Sequence, residues 1–362
     1  MQQKIPQSNQ ISCPKCSSKL LVKKGIRKNK FQYLQQYQCK DCKYIFTINK
    51  SKNTTYPITL IIKGISAYNL GYTLQQTKEK LNIQATLPAI SSWLKKYREI
   101  CTFARLRKQA IKLYGPKSII FKKPLIHQQI YIFQFHKAKL EILFKEEQNK
   151  KFIQIKDYLN KIPTENFPHH IFSKELLEKR GIESDMDSST EQRISQLKLE
   201  TLPAIKLEKQ NQANQLAELS LKTANENKQR HQSIQNFMLI NDSTTIAAEV
   251  PVYLTNDDIE YFKARNFSIN LENYRTPIIG HIDLLQIRNG FISILDYKPD
   301  ANKTEAIQQL TLYALALASR TKLALKDFKC AWFDQDNYFE FFPLHAVYEK
   351  RKKYKHQKML KI

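Results

Sequence analysis

Two apolar runs, Ile278 to Ile287 and Phe291 to Lys298, flank Arg288-Asn289-Gly290. Runs of this length rich in Ile and Leu predict strands, and Asn-Gly between them predicts a tight hairpin. The apolar pattern is interrupted at Asp283, Asp296 and Lys298. Side chains alternate along a strand, so Asp296 and Lys298 share a face, and closing the hairpin brings Asp283 close to Asp296. Both acids lie in strands of otherwise buried type, where they are costly without a cation or hydrogen-bond donors. Two carboxylates and an ammonium converging on one point is a chemical pattern, not a packing one.

Upstream, Thr244 to Leu254 predicts a strand broken by Glu249. Two readings stay open for that acid: an edge-strand residue facing water, which Pro251 favours because it cannot donate to a ladder, or a member of the same site. Thr304 to Leu317 has helical spacing and puts Gln309 and Tyr313 on one face. Ala331 to Phe339 predicts a closing hairpin, and residues 191–240 predict one or two helices ending in Arg230 to Met238. From Ala104 to Phe172, apolar and basic residues recur at helical spacing, as in Ile130, Phe133, Lys137, Leu140 and Leu143, which predicts a helical connector. The separation of His127 from His136 suits no helical zinc pair, so packing or phosphate contacts are expected of them. Glu183 to Thr190 is polar, acidic and aperiodic and marks a flexible boundary.

Near the N-terminus, Pro57 to Asn69 is an apolar helical stretch, Gly71 occupies a turn, and Thr73 can cap a second helix through Leu81. Thr86 to Ile100 predicts a third helix with Ile90, Trp93, Leu94 and Tyr97 on its apolar side. This rhythm suggests a helix-turn-helix whose last helix offers Thr86, Ser91, Ser92, Lys95 and Lys96 to DNA. The other reading is a small helical bundle with a solvated basic face. Ahead of it, Cys13-Pro14-Lys15-Cys16 and Cys39-Lys40-Asp41-Cys42 have the spacing that clasps one tetrahedral Zn²⁺. So short a segment cannot hold a core, and structural zinc contributes roughly 10–16 kcal/mol to such folds. With all four ligand positions filled by protein, the zinc is expected to be structural.

The distribution of charge separates the two ends. The 362 residues carry a net +26, and residues 1–130 hold 25 Lys and Arg against Asp41, Glu79 and Glu99, a net +22. The N-terminal part is the one that attracts phosphate backbones, although RNA and an anionic membrane surface fit the sign as well. No apolar run is long enough to span a bilayer, the first residues lack a signal-peptide core, and Cys101 and Cys330 stand alone in apolar surroundings. An intracellular protein without disulfides, cytoplasmic or nucleoid-associated, is expected. The tail Glu349 to Lys355 reads as a solvated basic end.

Tyr37-Gln38-Cys39-Lys40-Asp41-Cys42-Lys43-Tyr44-Ile45-Phe46-Thr47, followed by Asn69-Leu70-Gly71-Tyr72-Thr73 and Ser92-Trp93-Leu94-Lys95-Lys96-Tyr97, resembles the zinc-ribbon plus helix-turn-helix head of insertion-sequence transposases, over about residues 10–100. The resemblance implies DNA recognition, not transposition. The series Glu249, Gly280-x-x-Asp283, Asp296-x-Lys298, Gln309-x-x-x-Tyr313 resembles the PD-(D/E)xK nuclease superfamily, particularly its RecB-like branch, over about residues 225–345. That resemblance implies that Asp283 and Asp296 bind Mg²⁺ or Mn²⁺ and that Lys298 supports the attacking water or the scissile phosphate. It implies too that Gln309 and Tyr313 sit beside the site. The branch often adds a histidine from an upstream helix as a further metal ligand, and His231 has the position for it, which would shift preference toward Mn²⁺. His281 shares the face of Asp283 and is expected behind the ligands.

The sequence therefore predicts a multidomain α/β protein: a zinc ribbon over 1–54, a helix-turn-helix over 55–103 and a helical connector and linker over 104–190. A PD-(D/E)xK-type core, a central mixed sheet flanked by helices, covers 191–346, and a basic tail covers 347–362. The expected function is a metal-dependent DNA endonuclease of a mobile element or plasmid, with finding and cutting as separate jobs joined by the connector. The alternatives are a non-catalytic DNA-binding regulator or replication accessory protein, and a transposase subunit. DNA is the expected partner, a membrane is not, and a homodimer stays open.

Overall fold

The computed structural model describes residues 12–28, 33–47, 56–82, 85–127, 129–172, 192–223, 227–271, 274 and 276–348. The boundary stretch Glu183 to Thr190 and the tail from Glu349 onward lie outside the described residues. Three strands come first, β1 (Leu21–Lys28), β2 (Tyr33–Cys39) and β3 (Ile45–Thr47), forming an antiparallel sheet in that order. They are too short to enclose a core, and none of their residues joins the hydrophobic clusters of the rest of the chain. Three helices follow, α1 (Ile58–Asn69), α2 (Leu74–Lys80) and α3 (Leu87–Lys96). Thr73 closes a capping box with Gln76 on α2, and Thr86 caps α3 with Pro88 in its first turn.

Residues 104–172 correct the expected helical connector. α4 (Ala104–Leu113) leads into an antiparallel hairpin of β4 (Ile120–His127) and β5 (Gln129–His136), and only then come α5 (Lys137–Leu143) and α6 (Ile153–Lys161). The run Ile130-Tyr131-Ile132-Phe133-Gln134-Phe135 is β-branched and aromatic, which suits a pleated surface. Its pairing partner lies far along the chain, with Gln134 and Phe135 set against Ala248 and Ala247.

The region expected to hold one or two helices holds two, α7 (Gln212–Leu221) and α8 (Asn227–Asn241), preceded by the short strands β6 (Gln192–Arg193), β7 (Leu199–Glu200) and β8 (Leu207–Glu208). Then come β9 (Thr245–Leu254), α9 (Asn256–Lys263), β10 (Asn270–Leu271), β11 (Ile278–Arg288) and β12 (Phe291–Tyr297). The described chain ends with α10 (Ile307–Thr321), β13 (Phe328–Phe333), β14 (Tyr338–Phe341) and α11 (Pro343–Val347). The main sheet has nine strands in the order β4-β5-β9-β11-β12-β13-β14-β8, with β6 beside β11. It is mixed: β12 runs parallel to β13, and α10 is the crossover such a pair requires. Asn289 and Gly290 both have positive φ, +51° and +71°, so the β11–β12 turn has the backbone that matches strand twist.

Alternation along β12 divides the core between two faces. Ile292 and Ile294 join the cluster that holds Leu310, Leu312 and Leu315 of α10, whereas Leu295 and Tyr297 join the cluster that holds Ile234, Phe237 and Met238 of α8. That second cluster also takes in Ile61, Ile62 and Ile65 of α1 and Ile90 and Trp93 of α3. Asn69 donates to Asn241 Oδ1 at 2.8 Å, and Asn241 donates to Ser66 Oγ at 2.9 Å. The three-helix unit and the sheet thus share one apolar cluster. Each buried Ile contributes roughly 1.5–3 kcal/mol, and short helices alone cannot cover the apolar side that α1 presents. Among the described residues, no helix is long and apolar enough to cross a membrane.

Candidate active site

The three central strands carry three carboxylates in a row. Leu284 pairs with Ala248 of β9 on one side and with Leu295 of β12 on the other, so the same registers set Asp283 between Glu249 and Asp296. The backbone N–H of Tyr297 donates to Asp283 Oδ2 at 3.3 Å, which ties the two strands together at the site. Glu249 has φ +52°, a conformation that costs a non-glycine residue on the order of 1–3 kcal/mol and tends to occur where function requires it. The edge-strand reading of Glu249 is corrected, because β9 lies inside the sheet between β5 and β11. Pro251 is tolerated there because the described β5 pairing reaches only Ala247 and Ala248.

From the far side of β12, α10 contributes a polar chain. Lys298 Nζ lies 2.8 Å from Asp296 Oδ2 and donates to Gln309 Oε1 at 3.2 Å, while Gln309 Nε2 donates to Tyr313 Oη at 3.1 Å. Helical spacing puts Gln309 and Tyr313 one turn apart on the side of α10 that faces the strands. The Tyr313 ring lies directly against Gly280, where no side chain stands in its way. A third contribution comes from α8. His231 Nδ1 is 3.4 Å from Asp283 Oδ2, and Gln235, one turn further along, donates to Glu249 Oε1 at 2.7 Å.

The charges in this small space work against one another. Burial and the neighbouring Asp283 push Asp296 up to about 8, against the pull of Lys298. Burial and Asp283 likewise push Glu249 up to about 8, against Gln235 and His231. Burial also acts on Asp283, but the hydrogen bond and charge of His231 outweigh it and hold this carboxyl below its usual range. Reciprocally, the bond to Asp283 raises His231 above an ordinary imidazole although desolvation opposes it. The carboxylates therefore compete for protons and would be relieved by a divalent cation.

All seven side chains expected from the sequence, His231, Glu249, Asp283, Asp296, Lys298, Gln309 and Tyr313, line one cleft of about 220 Å³. His281 also borders it, stacked on Tyr131 with ring centroids 3.6 Å apart and bonded through Nε2 to His127 Nδ1 at 2.9 Å. His127 is thus packed within an aromatic and imidazole cluster, whereas His136 is buried against Phe103 and caps α5 through Nδ1. Sequence reasoning missed Gln235, Tyr131 and Arg193. Gln235 was recoverable, since it stands one turn from His231; Tyr131 and Arg193 reach the cleft from segments with no local signal.

The donor set suits a hard cation. Asp296 Oδ2 is buried beside the Lys298 ammonium at 2.8 Å, and the adjoining Asp283 adds a second carboxylate that one ammonium does not balance. Asp283 and Asp296 could together offer oxygens to a divalent cation. Among the described residues, His231, Asp283 and Asp296 do not draw together into a compact group of donor atoms, and His231 Nδ1 stands 3.4 Å from Asp283 Oδ2.

At the other end, Cys13, Cys16, Cys39 and Cys42 do form such a group. Cys13 Sγ lies 3.5 Å from Cys42 Sγ, and Cys16 Sγ lies 3.6 Å from Cys39 Sγ. Tetrahedral zinc with sulfur at about 2.3 Å needs separations of this size, and four thiols fit it. The backbone N–H of Cys42 pulls the Cys39 thiol down to about 6, toward the thiolate a metal binds. On α3, Thr86, Ser91, Ser92, Lys95 and Lys96 are all exposed or half-buried at the surface, while Ile90 and Trp93 face inward.

Comparison with known protein families gives one match: the model of the PD-(D/E)XK nuclease superfamily covers residues 134–357. It takes in the end of β5, the central strands, α10 and every cleft residue named above except His127 and Tyr131, which lie before it, and it begins well ahead of the boundary expected at residue 191. No curated protein and no solved structure matches the chain.

Proposed function

The chain belongs to the PD-(D/E)XK nuclease superfamily, and on that premise we propose that it is a metal-dependent DNA endonuclease whose cutting site is the cleft around Asp283, Asp296 and Lys298. The observation that carries this reading is the 2.8 Å approach of Lys298 Nζ to Asp296, with Asp283 in the neighbouring register position. A bound divalent cation would neutralise charge on the phosphate and lower the pKa of the attacking water. Asp283 and Asp296 supply the oxygens for it. Lys298, restrained by Gln309, presents its ammonium to the scissile phosphate or the water, and Tyr313 keeps Gln309 from turning away. Glu249, held by Gln235, is the third acid of the row and takes up a proton or supports a ligand. His231 must release its proton to act as a ligand, and it is a nearby reservoir of charge otherwise.

The exposed basic side of α3 supports duplex contact, with Lys95 and Lys96 toward phosphates and Thr86, Ser91 and Ser92 toward base edges. The cluster of four cysteines, suited to Zn²⁺, supports a ribbon as the outer part of the same DNA-binding head. The resemblance of that head to insertion-sequence transposases and of the core to RecB-like nucleases supports a mobile-element or plasmid setting. Cleavage of supercoiled, linear and single-stranded DNA with Mg²⁺ or Mn²⁺ tests the site. Asp296→Ala and Lys298→Ala should each slow cutting by about 100-fold or more. Equal cutting by the wild type and both variants would remove the catalytic reading in favour of a DNA-binding platform.

A further inference from the structure

The small N-terminal sheet gathers its aromatic side chains on one face. Tyr37 and Phe46 are cross-strand partners with ring centroids 6.0 Å apart and planes 27° from parallel, and Tyr44 lies along Phe46 at 6.3 Å and 13°. Alternation along β2 puts Tyr33 on the face of Tyr37. On the neighbouring strand, Lys23 stands opposite Tyr37, and Lys28 stands opposite Tyr33 with its ammonium 5.5 Å from the ring centre. The face is open at Tyr33, 69% exposed, and at Tyr44, 45% exposed, while Tyr37 and Phe46 are half-buried. Around it, the described residues 12–28 and 33–47 hold eight Lys and Arg against the single acid Asp41.

Partly exposed aromatic rings have an energetic cost in water, and the surrounding charge selects a polyanion to cover them. Ring faces engage the faces of bases, which a duplex hides within its own stack and a single strand leaves available. We propose that this face binds unpaired nucleotides, with Tyr33, Tyr37 and Phe46 as platforms for successive bases and Lys23 and Lys28 beside the backbone. The function goes beyond duplex recognition by α3: the ribbon would hold a strand that is already open, such as a frayed end or the product of a cut. This inference shares with the nuclease reading only a nucleic-acid ligand, and because its test needs no cleavage, its failure leaves that reading standing.

The experiment is a fluorescence-anisotropy titration of the full zinc-loaded chain carrying Asp296→Ala, so that nothing is cut. The probes are labelled oligothymidylate, oligouridylate and a duplex of equal length, and zinc content is measured on each variant. Tyr33→Ala and Tyr37→Ala should each weaken single-strand binding by about tenfold or more, with duplex binding within about twofold of the parent and Tyr33→Phe restoring affinity. Should Tyr37→Ala lose zinc, the exposed Tyr33 alone decides the outcome. Single-strand affinity of Tyr33→Ala within about twofold of the parent, or an equal loss on the duplex, overturns the proposal.

Discussion

Gly280 and Tyr313 fit as bare backbone against ring: a Cβ at Gly280 would stand 2.5 Å from Tyr313 Cε1. Tyr313 in turn is bonded to Gln309, which is bonded to Lys298. The glycine of Gly280-x-x-Asp283 therefore has a steric reason two links removed from the ammonium. Gly280→Ala should displace the ring, loosen Lys298 and lower the cleavage rate by up to about 100-fold, with a smaller loss of stability. Single-turnover rates beside denaturant midpoints separate the two effects. A variant that cuts at the wild-type rate would mean that Tyr313 does not position Lys298.

The buried imidazoles of His127 and His136 should draw stability from this fold in acid, against Asp296 and Glu249, whose raised pKa values act the other way. Burial and His169 lower His127 to about 3, and burial and Lys139 hold His136 well below an ordinary imidazole. Both folded-state pKa values lie below the unfolded value of about 6.5, so below that pH the unfolded chain binds more protons and stability falls as pH drops toward 3. The readout is the urea midpoint at pH 5.0 relative to that at pH 7.5. In His136→Asn, which keeps a capping side chain and does not titrate, that ratio should rise above the wild-type value. An unchanged pH dependence in that variant would assign the effect to other groups.

Removing the ribbon's metal should leave the cutting site folded. The ribbon residues belong to none of the hydrophobic clusters, whereas zinc supplies roughly 10–16 kcal/mol of folding energy to domains of this type. Cys39→Ser or a strong chelator should abolish zinc binding and make residues 12–47 protease-sensitive while the main thermal transition stays within a few degrees. Metal analysis with limited proteolysis provides the check. Loss of the main transition would show that the ribbon supports the core after all.

Neutralising α3 should weaken duplex binding without regard to sequence. Lys95→Gln and Lys96→Gln remove ammoniums from an exposed helix face with no acid on it. If each neutralises one phosphate, the log-log salt slope should fall by about 0.9 per lysine. The measurement is an affinity series across salt concentrations for wild type and the double variant. An unchanged slope would return the three helices to the reading of a solvated bundle.

The site was legible where its signals were local. The hairpin of β11 and β12 announces itself through Asn289-Gly290, and its register alone sets Asp283 beside Asp296. Gln309 and Tyr313 follow from helical spacing. What resisted was long-range: Glu249 could be assigned to the sheet interior only once β5 was known to lie beyond β9, and β5 itself mimics helical spacing over Ile130 and Phe133. No periodicity within residues 104–172 could disclose a partner at Ala247 and Ala248. The union of the three helices with the sheet was equally hidden, because an apolar stripe on α1 states that something covers it without stating what.

That union limits how the protein can be rebuilt. Residues of α1 and α3 pack in one cluster with Leu216 of α7 and Phe237 of α8, and α8 is also the helix that carries His231 and Gln235 to the cleft. The three helices α1 to α3 are therefore not an exchangeable cassette. A chimera that swaps in a foreign recognition unit must bring along the apolar surface that α7 and α8 were shaped to meet. One that does not will tilt α8 and disturb the chemistry, even though every cleft residue remains in place.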